Sequence, residues 1–340
     1  MLNLTDNTLV IQAILVSIIS FVLVAVMMPR TIRTLITKGR VVRDVHKPEL
    51  PLIPRPAGPT LLFGIATAEV ILFLLTFNTK VLAILLTTVI GFIIGLIDDK
   101  WVMPGSFKPV ALIIAAIPLI ILGAYGSHLY LIFGAVFIPL LYIPLILIIV
   151  PVVGNTINSI DVLNGVASGF VIICTIPLLI SIAIFGTNDV LVAALPLLFG
   201  TIALYKFHKY PSKIFPGDSG TLLIGSMYGA IAIVGSSEVI GVISLLPAVM
   251  NSFLFLASVK KIVEHRQVKA RPTVLMDDYK LAASKESEAP TTLLRLILAR
   301  GPLSEIQIVA QVLKLGIFSS ILAVISIFIQ YYFVTGLISK

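Results

Sequence analysis

Long apolar segments recur along the whole chain, and they constrain its fold more than any other feature. In lipid the backbone must satisfy its own hydrogen bonds, and segments of about 20 residues without alternating polarity favour helices over a barrel. The chain is 58% hydrophobic and 12% charged, which leaves too little polar surface for a water-soluble globule of 340 residues. The sequence therefore predicts an all-α polytopic membrane protein with about ten transmembrane helices. The apolar segments are residues 9–28, 60–77, 81–97, 109–125, 131–153, 166–185, 190–204, 221–234, 239–259 and 315–334.

The distribution of basic residues predicts how these helices are oriented. If the N-terminus lies outside, every Lys and Arg except Lys80 and Lys340 falls in loops that face the cytosol. Cytoplasmic loops carry such an excess, so both termini are predicted outside, and the net charge of +8 requires no nucleic-acid partner. Residues 1–340 are predicted to form one integral membrane domain, with 260–305 a cytosolic loop or lid between helices 9 and 10. The cytosolic loops are residues 29–59, 98–108, 154–165, 205–220 and 260–314.

An apolar run stops abruptly at Asp98 and Asp99, at the predicted cytosolic end of helix 3. Such a pair often marks only a hydrated helix end. A functional role is indicated when other loops bring complementary groups to it. Adjacent helical residues project about 100° apart, so the two carboxylates cannot be equivalent ligands of one ion without distortion. The sequence therefore indicates two different roles for the two side chains.

Two further loops on the same predicted face carry polar side chains. Asn155, Asn158 and Asp161 recur every three residues, which favours a nucleotide- or metal-facing surface over simple interhelical hydrogen bonding. Gly217 lets the backbone pass close to a ligand, and Asp218 offers a hard oxygen ligand while also suiting a helix N-cap. Both loops are therefore candidates for metal or phosphate contacts.

Basic residues in the first and last cytosolic loops fit either phosphate clamps or positive-inside anchors. Together with the carboxylates and amides, they suit magnesium-assisted phosphoryl transfer at one membrane face. The alternative from another class is a proton- or cation-coupled transporter that uses Glu69 and Asp161. Transporters typically place their charges near the membrane midplane, and apart from Glu69 this chain does not.

Three motifs, in this order and on one predicted face, resemble the polyprenyl-phosphate N-acetylhexosamine-1-phosphate transferases of glycosyltransferase family 4. The resemblance covers nearly the whole chain. Asp44–Pro48 and the Arg300–Pro302 turn look most like the archaeal and eukaryotic UDP-GlcNAc:dolichyl-phosphate GlcNAc-1-phosphate transferases. Asp161 departs from that branch, which usually has a small residue there, and is similar to the bacterial branch. The motifs are Ile97-Asp98-Asp99, the Asn-x-x-Asn-x-x-Asp-x-x-Asn-Gly run from Asn155 to Gly165, and Phe215-Pro216-Gly217-Asp218-Ser219-Gly220.

The resemblance implies a role for each matching residue around the metal and the acceptor. Asp218 would be the ligand of Mg²⁺, or of Mn²⁺, with Asn158 beside the metal and the uridine diphosphate. Asp98 and Asp99 would be the catalytic pair near the acceptor. Lys108 would act with them and hold the lipid phosphate.

The resemblance also assigns residues to the two substrates. His265 and Arg266 would hold the sugar-nucleotide diphosphate, whereas Glu264 stands where the dolichol branch usually has Arg. The implied UDP-sugar contacts are Asn155, Asp161, Asn164, Gly217, His265 and Arg266, and the implied lipid-phosphate contacts are Lys108, Lys47 and Arg55.

The implied activity is transfer of GlcNAc-1-phosphate from UDP-GlcNAc to a polyprenyl (dolichyl) phosphate, giving polyprenyl-diphosphate-GlcNAc and UMP. This would be the first step of lipid-linked oligosaccharide synthesis for N-glycosylation. The expected location is an archaeal plasma membrane, or the endoplasmic reticulum membrane in a eukaryote, with the site facing the cytosol and a homodimer as the family's habit. The alternative within the enzyme class is transfer from another UDP-N-acetylhexosamine.

Overall fold

The computed structural model describes residues 7–47, 49–101, 103–260, 268 and 270–338, without the side chains of 334–338. The described chain is mainly helical. Its helices are α1 Asn7–Thr37, α2 Gly58–Thr76, α3 Thr79–Lys100, α4 Phe107–Ile121, α5 Pro139–Ile160, α6 Val166–Phe185, α7 Asn188–His208, α8 Gly217–Val234, α9 Glu238–Ser244, α10 Leu246–Val259, α11 Leu293–Ile297 and α12 Glu305–Ile338. Its antiparallel hairpins pair β1 Val41–Arg43 with β2 Leu52–Pro54, β3 His128–Leu131 with β4 Gly134–Phe137, and β5 Thr273–Leu275 with β6 Leu281–Ala283.

Many of these helices are long and apolar enough to cross a membrane. Within the described ranges eight pass on length and composition, and the pair α9–α10, bent by 73°, would make a ninth. Helix α4 is apolar but has only 15 residues. Each predicted apolar segment overlaps one of these helices or the bent pair. The chain is therefore a polytopic membrane protein, while the count of ten spans and the placement of both termini outside stay predictions.

Several element boundaries differ from those predicted. The apolar segment 131–153 begins in the β3–β4 hairpin, because Gly134 takes φ +148° there and α5 starts only at Pro139, a residue suited to the first turn of a helix. Helix α12 begins at Glu305, ten residues before the apolar segment 315–334. Within the predicted cytosolic loop 260–314, α11 is followed by one 3₁₀ turn, Leu298–Arg300.

Helix α8 forms the core of the bundle, and all of its residues are buried. It packs against α3, α5 and α2. Close packing on α3 is possible because Gly91 and Gly95 lie one turn apart: a Cβ at Gly91 would lie 3.0 Å from the Leu222 carbonyl oxygen, and one at Gly95 would overlap the Asp218 main chain. These two glycines therefore fix the N-terminus of α8 beside the C-terminus of α3.

Candidate functional site

An acid–base cluster lies where the ends of several helices meet. Asp98 and Asp99 come from the last turn of α3, Lys108 from the first turn of α4, and Asp218 from the first turn of α8. Arg55 approaches from the segment between β2 and α2. Lys108 Nζ lies 3.0 Å from Asp98 Oδ2 and 2.7 Å from Asp218 Oδ1, so this lysine joins two of the carboxylates.

Arg55 makes the second bridge of the cluster. Its Nη2 lies 3.0 Å from Asp99 Oδ1 and also contacts Asp218 Oδ2. Asp98, Asp218 and Lys108 are buried, and about a quarter of the Arg55 side chain is exposed. Removing one member of such a buried pair costs about 3–5 kcal/mol, because its partner is left uncompensated. The charges therefore depend on one another for stability.

The adjacent residues Asp98 and Asp99 have different partners. Asp98 accepts a hydrogen bond from the Met103 backbone N–H at 3.2 Å besides its contact with Lys108. Both oxygens of Asp99 accept backbone N–H groups at the start of α8, Oδ1 from Asp218 and Oδ2 from Ser219, each at 2.9 Å. Asp99 therefore caps the N-terminus of α8, whose free N–H groups and dipole favour an anion.

Glycines allow these close approaches. Gly217 begins α8 with φ +72°, and a Cβ there would lie 2.8 and 2.9 Å from the two Asp99 oxygens. A Cβ at Gly58 would lie 2.7 Å from the Gly220 backbone nitrogen. The Phe215–Gly220 motif thus places Asp218 by backbone geometry as well as by charge.

A cavity of about 740 Å³ opens beside the cluster, within the usual range for ligand pockets. Its polar part is lined by Arg55, Lys108, Asn158 and Asp218, and by other residues of the same loops. Its apolar part is lined by α5 and α10 side chains, namely Pro151, Val152, Val249, Phe253, Phe255 and Leu256. Among the described residues, Asp98 and Asp99 do not line the cavity. They contact Lys108 and Arg55, which do line it.

The polar stripe of α5 faces this cavity as its spacing predicts. Asn155, Asn158, Asp161 and Asn164 all line the cavity, the first two from α5 and the others from the turn that follows it. The Thr221 hydroxyl donates to Asn158 Oδ1 at 2.7 Å, which holds that side chain against α8. The carboxyl and amide groups of the stripe therefore meet the acid–base cluster in one space.

Asp161 and His208 form a pair that the sequence did not single out. His208 Nε2 lies 3.6 Å from Asp161 Oδ1, and its Nδ1 lies 2.9 Å from the Ser168 hydroxyl. Both side chains line the cavity. Burial raises the pKa of Asp161 to about 7, an effect that the positive charge of Arg55 partly offsets. The Asp161 carboxyl group can therefore change its charge near neutral pH.

A second buried cluster lies at the rim of the same cavity. Lys47 Nζ contacts Asp44 and lies 3.1 Å from Glu305 Oε2, and it also sits 4.8 Å from the centre of the Tyr210 ring. Asn164 Nδ2 donates to Asp44 at 3.1 Å and also to Glu305. Among the described residues, Lys47 is absent from the cavity lining. The structure therefore separates Lys47 from Arg55 and Lys108, with which it was grouped as a lipid-phosphate contact.

Some expected site residues cannot be placed. Glu264, His265 and Arg266 lie outside the described residues, so their assignment to the diphosphate stays a prediction. The described part of the expected lid, from Ala270 onward, packs on α10: the Leu293 N–H donates to Asn251 Oδ1 at 2.9 Å and the Thr291 N–H to the Ser258 hydroxyl at 3.0 Å.

The structure also adds residues that sequence reasoning missed. His208 stood in a predicted loop without a metal-binding spacing, and only the packing of α7 on α6 brings it to Ser168. Glu305 is separated from Lys47 by 258 positions, so no local pattern links them. The one available signal for Glu305 was its place after Ser304, before a long apolar run, which suits the start of a helix.

Comparison with known proteins agrees with the motifs. The model of glycosyl transferase family 4 matches residues 81–236, which contain the cluster except Arg55. A Saccharolobus solfataricus protein, provisionally named UDP-N-acetylglucosamine–dolichyl-phosphate N-acetylglucosaminephosphotransferase, is 28% identical over 85% of this chain and 87% of its own length. A provisionally named glycosyltransferase of Methanocaldococcus jannaschii is 28% identical over 83% and 86%.

A bacterial enzyme is similar over a shorter stretch. The phospho-N-acetylmuramoyl-pentapeptide-transferase of Staphylococcus aureus is 27% identical over 67% of this chain and 77% of its own length. The archaeal and bacterial matches together with the family model confirm the resemblance drawn from the three motifs. The chain therefore resembles glycosyl transferase family 4, whose model matches residues 81–236.

Proposed function

We propose that the chain transfers N-acetylglucosamine-1-phosphate from UDP-GlcNAc to a polyprenyl or dolichyl phosphate, with release of UMP. The observation that carries this proposal is the two-sided cavity. Its polar part holds Arg55 and Lys108, which suit phosphates, and Asp218, which suits a metal ion that phosphates can share. Its apolar part is lined by α5 and α10. An acceptor whose phosphate is joined to an isoprenoid chain has the same two-part chemistry.

The reaction joins two phosphates and breaks one bond. An oxygen of the lipid phosphate forms a bond to the β-phosphorus of UDP-GlcNAc, and the bond from that phosphorus to the α,β-bridging oxygen breaks, so UMP leaves with the electron pair. The second pKa of a phosphate is about 6, so the acceptor is largely ionised at neutral pH and needs little help from a general base. Direct attack is therefore chemically sufficient.

The reaction brings together the lipid phosphate and the two phosphates of UDP-GlcNAc. Arg55 and Lys108 supply the positive charge that these three anionic groups require. Both cations line the cavity, and both are held from behind by carboxylates: Arg55 by Asp99 and Lys108 by Asp98. Fixed charges of this kind stabilise a transition state because they need no reorganisation during the reaction. In this scheme Asp98 and Asp99 act by positioning the two cations and the start of α8.

The carboxylate and amide oxygens of Asp218 and Asn158 in the cavity suit a hard divalent cation. In the described part of the chain, no three His, Cys, Asp or Glu side chains are placed to share one metal ion. Mg²⁺ in phosphoryl-transfer sites is usually bound by one or two carboxylates together with substrate phosphates, so Asp218 with the Asn158 amide oxygen is an adequate protein contribution. Such an ion would neutralise diphosphate charge, and Arg55 and Lys108, now paired with Asp218, could then turn to the phosphates.

A second candidate donor has a specific observation in its favour. Asp161 lines the cavity, and this position resembles the bacterial branch rather than the dolichol branch. The similarity to a phospho-N-acetylmuramoyl-pentapeptide-transferase extends over 67% of the chain. A larger UDP-N-acetylhexosamine is therefore the alternative donor. The Saccharolobus solfataricus relative, whose provisional name includes UDP-N-acetylglucosamine and which matches over more of the chain, favours UDP-GlcNAc.

A panel of UDP-sugars tests the proposal. Purified protein with Mg²⁺ and a polyprenyl phosphate should release UMP fastest from UDP-GlcNAc. The variant Asp218→Asn should lose at least about a hundredfold in turnover, because it removes the carboxylate that would hold a metal ion worth several kcal/mol to the transition state. The variant Asp278→Asn is the matched control, because it removes an exposed carboxylate that pairs only across the surface with Lys280 among the described residues.

Three results would count against the proposal. Near-normal turnover by Asp218→Asn would remove Asp218 from the metal site. UMP release from another UDP-N-acetylhexosamine alone would favour the second donor. Uptake of a solute by vesicles without any UMP formation would favour the transporter alternative.

A further inference from the structure

The cluster at the cavity rim joins parts of the chain that are far apart in sequence. Asp44 and Lys47 lie between β1 and β2, Asn164 lies between α5 and α6, and Glu305 is the first residue of α12. All four side chains are buried. Asn164 Oδ1 accepts the Ser212 backbone N–H at 2.9 Å, which brings in the segment between α7 and α8 as well.

Three of these segments also supply cavity wall, whereas the start of α12 does not among the described residues. Asp44, Val45 and His46 line the cavity from the first segment, Asp161 and Asn164 from the second. The segment after α7 adds Phe215 and Gly217. The distance between these walls is therefore set at the rim cluster.

Within the rim cluster, Glu305 is held through both of its carboxylate oxygens. Its Oε1 accepts the Asn164 backbone N–H at 2.9 Å and also the Asn164 side-chain amide, and its Oε2 accepts Lys47 Nζ at 3.1 Å. Three donors thus converge on one carboxylate. A carboxylate can accept from all of them, whereas a glutamine of the same shape has one acceptor oxygen and must turn its NH₂ group towards a donor.

We propose that Glu305 is a positioning residue for the nucleotide side of the cavity: it holds the Asp44–Lys47 and Asp161–Asn164 walls at the spacing that binds the UDP part of the donor. The inference rests on the proposed function for the identity of the nucleotide. Glu305 does not itself line the cavity among the described residues, so it acts through Lys47 and Asn164.

The position of Glu305 also links the cavity to the C-terminal part of the chain. Just before α12, Leu303 pairs with Leu281 of β6, with N–H to O distances of 2.9 and 3.0 Å in the two directions. The β5–β6 hairpin is therefore joined to Glu305 by a short stretch of chain.

The test compares Glu305→Gln with the wild type by two readouts. Calorimetric titration with UDP and Mg²⁺ should show about tenfold weaker binding by Glu305→Gln. In the UMP-release assay its KM for the donor should rise by a similar factor, with kcat within about twofold. Its thermal midpoint should fall, because the new NH₂ group must face a donor, but the variant should stay folded at the assay temperature. Asp278→Asn, which removes an exposed carboxylate from the same C-terminal region, should match the wild type in both.

Different failures would have different meanings. Unchanged UDP affinity in Glu305→Gln, or a loss of kcat at constant KM, would overturn the positioning role. A fall in affinity that disappears when binding is measured well below the thermal midpoint of the variant would assign Glu305 to folding alone and would also overturn it. If the wild type binds UDP but releases UMP from no UDP-sugar, the proposed function fails, while the comparison of UDP affinities still tests Glu305.

Discussion

At the scale of single residues, the pair Asp98–Asp99 shows that two adjacent aspartates can have different partners and different roles. Their side chains leave α3 in different directions, as the helical spacing predicts. Asp98 meets Lys108 and the Met103 N–H, whereas Asp99 meets Arg55 and the first N–H groups of α8. One carboxylate therefore orients a cation at the cavity, and the other also fixes a helix.

Replacing each carboxylate by asparagine should separate these effects. Asp98→Asn should lose most of its kcat with a smaller drop in thermal midpoint than Asp99→Asn, because the Met103 N–H can still find an acceptor and Lys108 keeps Asp218 as a counter-charge. Asp99→Asn should lose activity and stability together, since its NH₂ group must face an N–H of α8, at a cost of about 1–3 kcal/mol. Turnover and thermal unfolding in detergent measure both. Equal losses in both variants would contradict distinct roles.

At the scale of elements, the placement of α8 decides where the site forms. The helix is buried throughout, its N-terminus is capped by Asp99, and its approach to α3 depends on Gly91 and Gly95. Gly217 has a left-handed backbone, and a Cβ added there would meet Asp99 and Pro56. Helix α8 therefore carries Asp218 to its partners as part of a rigid core.

Gly217→Ala should damage the site more than a left-handed backbone alone would. An alanine at positive φ costs about 1–2 kcal/mol, and at this position its Cβ would also press on the Asp99 carboxylate. Gly39→Ala is a matched control, because Gly39 has φ +64° and nothing within 4 Å of the added Cβ. We expect Gly217→Ala to lose at least about tenfold in kcat and Gly39→Ala to keep it. Similar kcat values in both variants would show that the close contact is unimportant.

At the scale of the whole molecule, composition and periodicity were enough to predict a polytopic helical protein, because lipid permits few backbone solutions. That Asp98, Asn158 and Asp218 lie together was also predictable, since each lies just beyond the end of an apolar segment that can be recognised from the sequence. The β3–β4 hairpin was not, because it is apolar itself and reads as the start of α5. The Glu305–Lys47 and His208–Ser168 contacts were not, because they arise only from packing between distant segments.

The orientation of the bundle can be tested with a single introduced thiol. Cys174 is the one cysteine of the sequence and is buried, so the unmodified chain gives a low background. The positive-inside pattern places His128, in the β3–β4 hairpin, outside and Lys285 in the cytosol, and both are exposed. A membrane-impermeant maleimide applied to right-side-out vesicles should label His128→Cys and spare Lys285→Cys. The opposite pattern would invert the proposed topology.

The central claim is that a phosphate moves to the lipid with the sugar. UDP-GlcNAc labelled with ³²P at the β-phosphorus distinguishes this transfer from transfer of the sugar alone. With Mg²⁺ and a polyprenyl phosphate, we expect the label to enter the lipid fraction as polyprenyl-diphosphate-GlcNAc and the released UMP to be unlabelled. Label recovered in free UDP, with an unlabelled glycolipid, would contradict the claim.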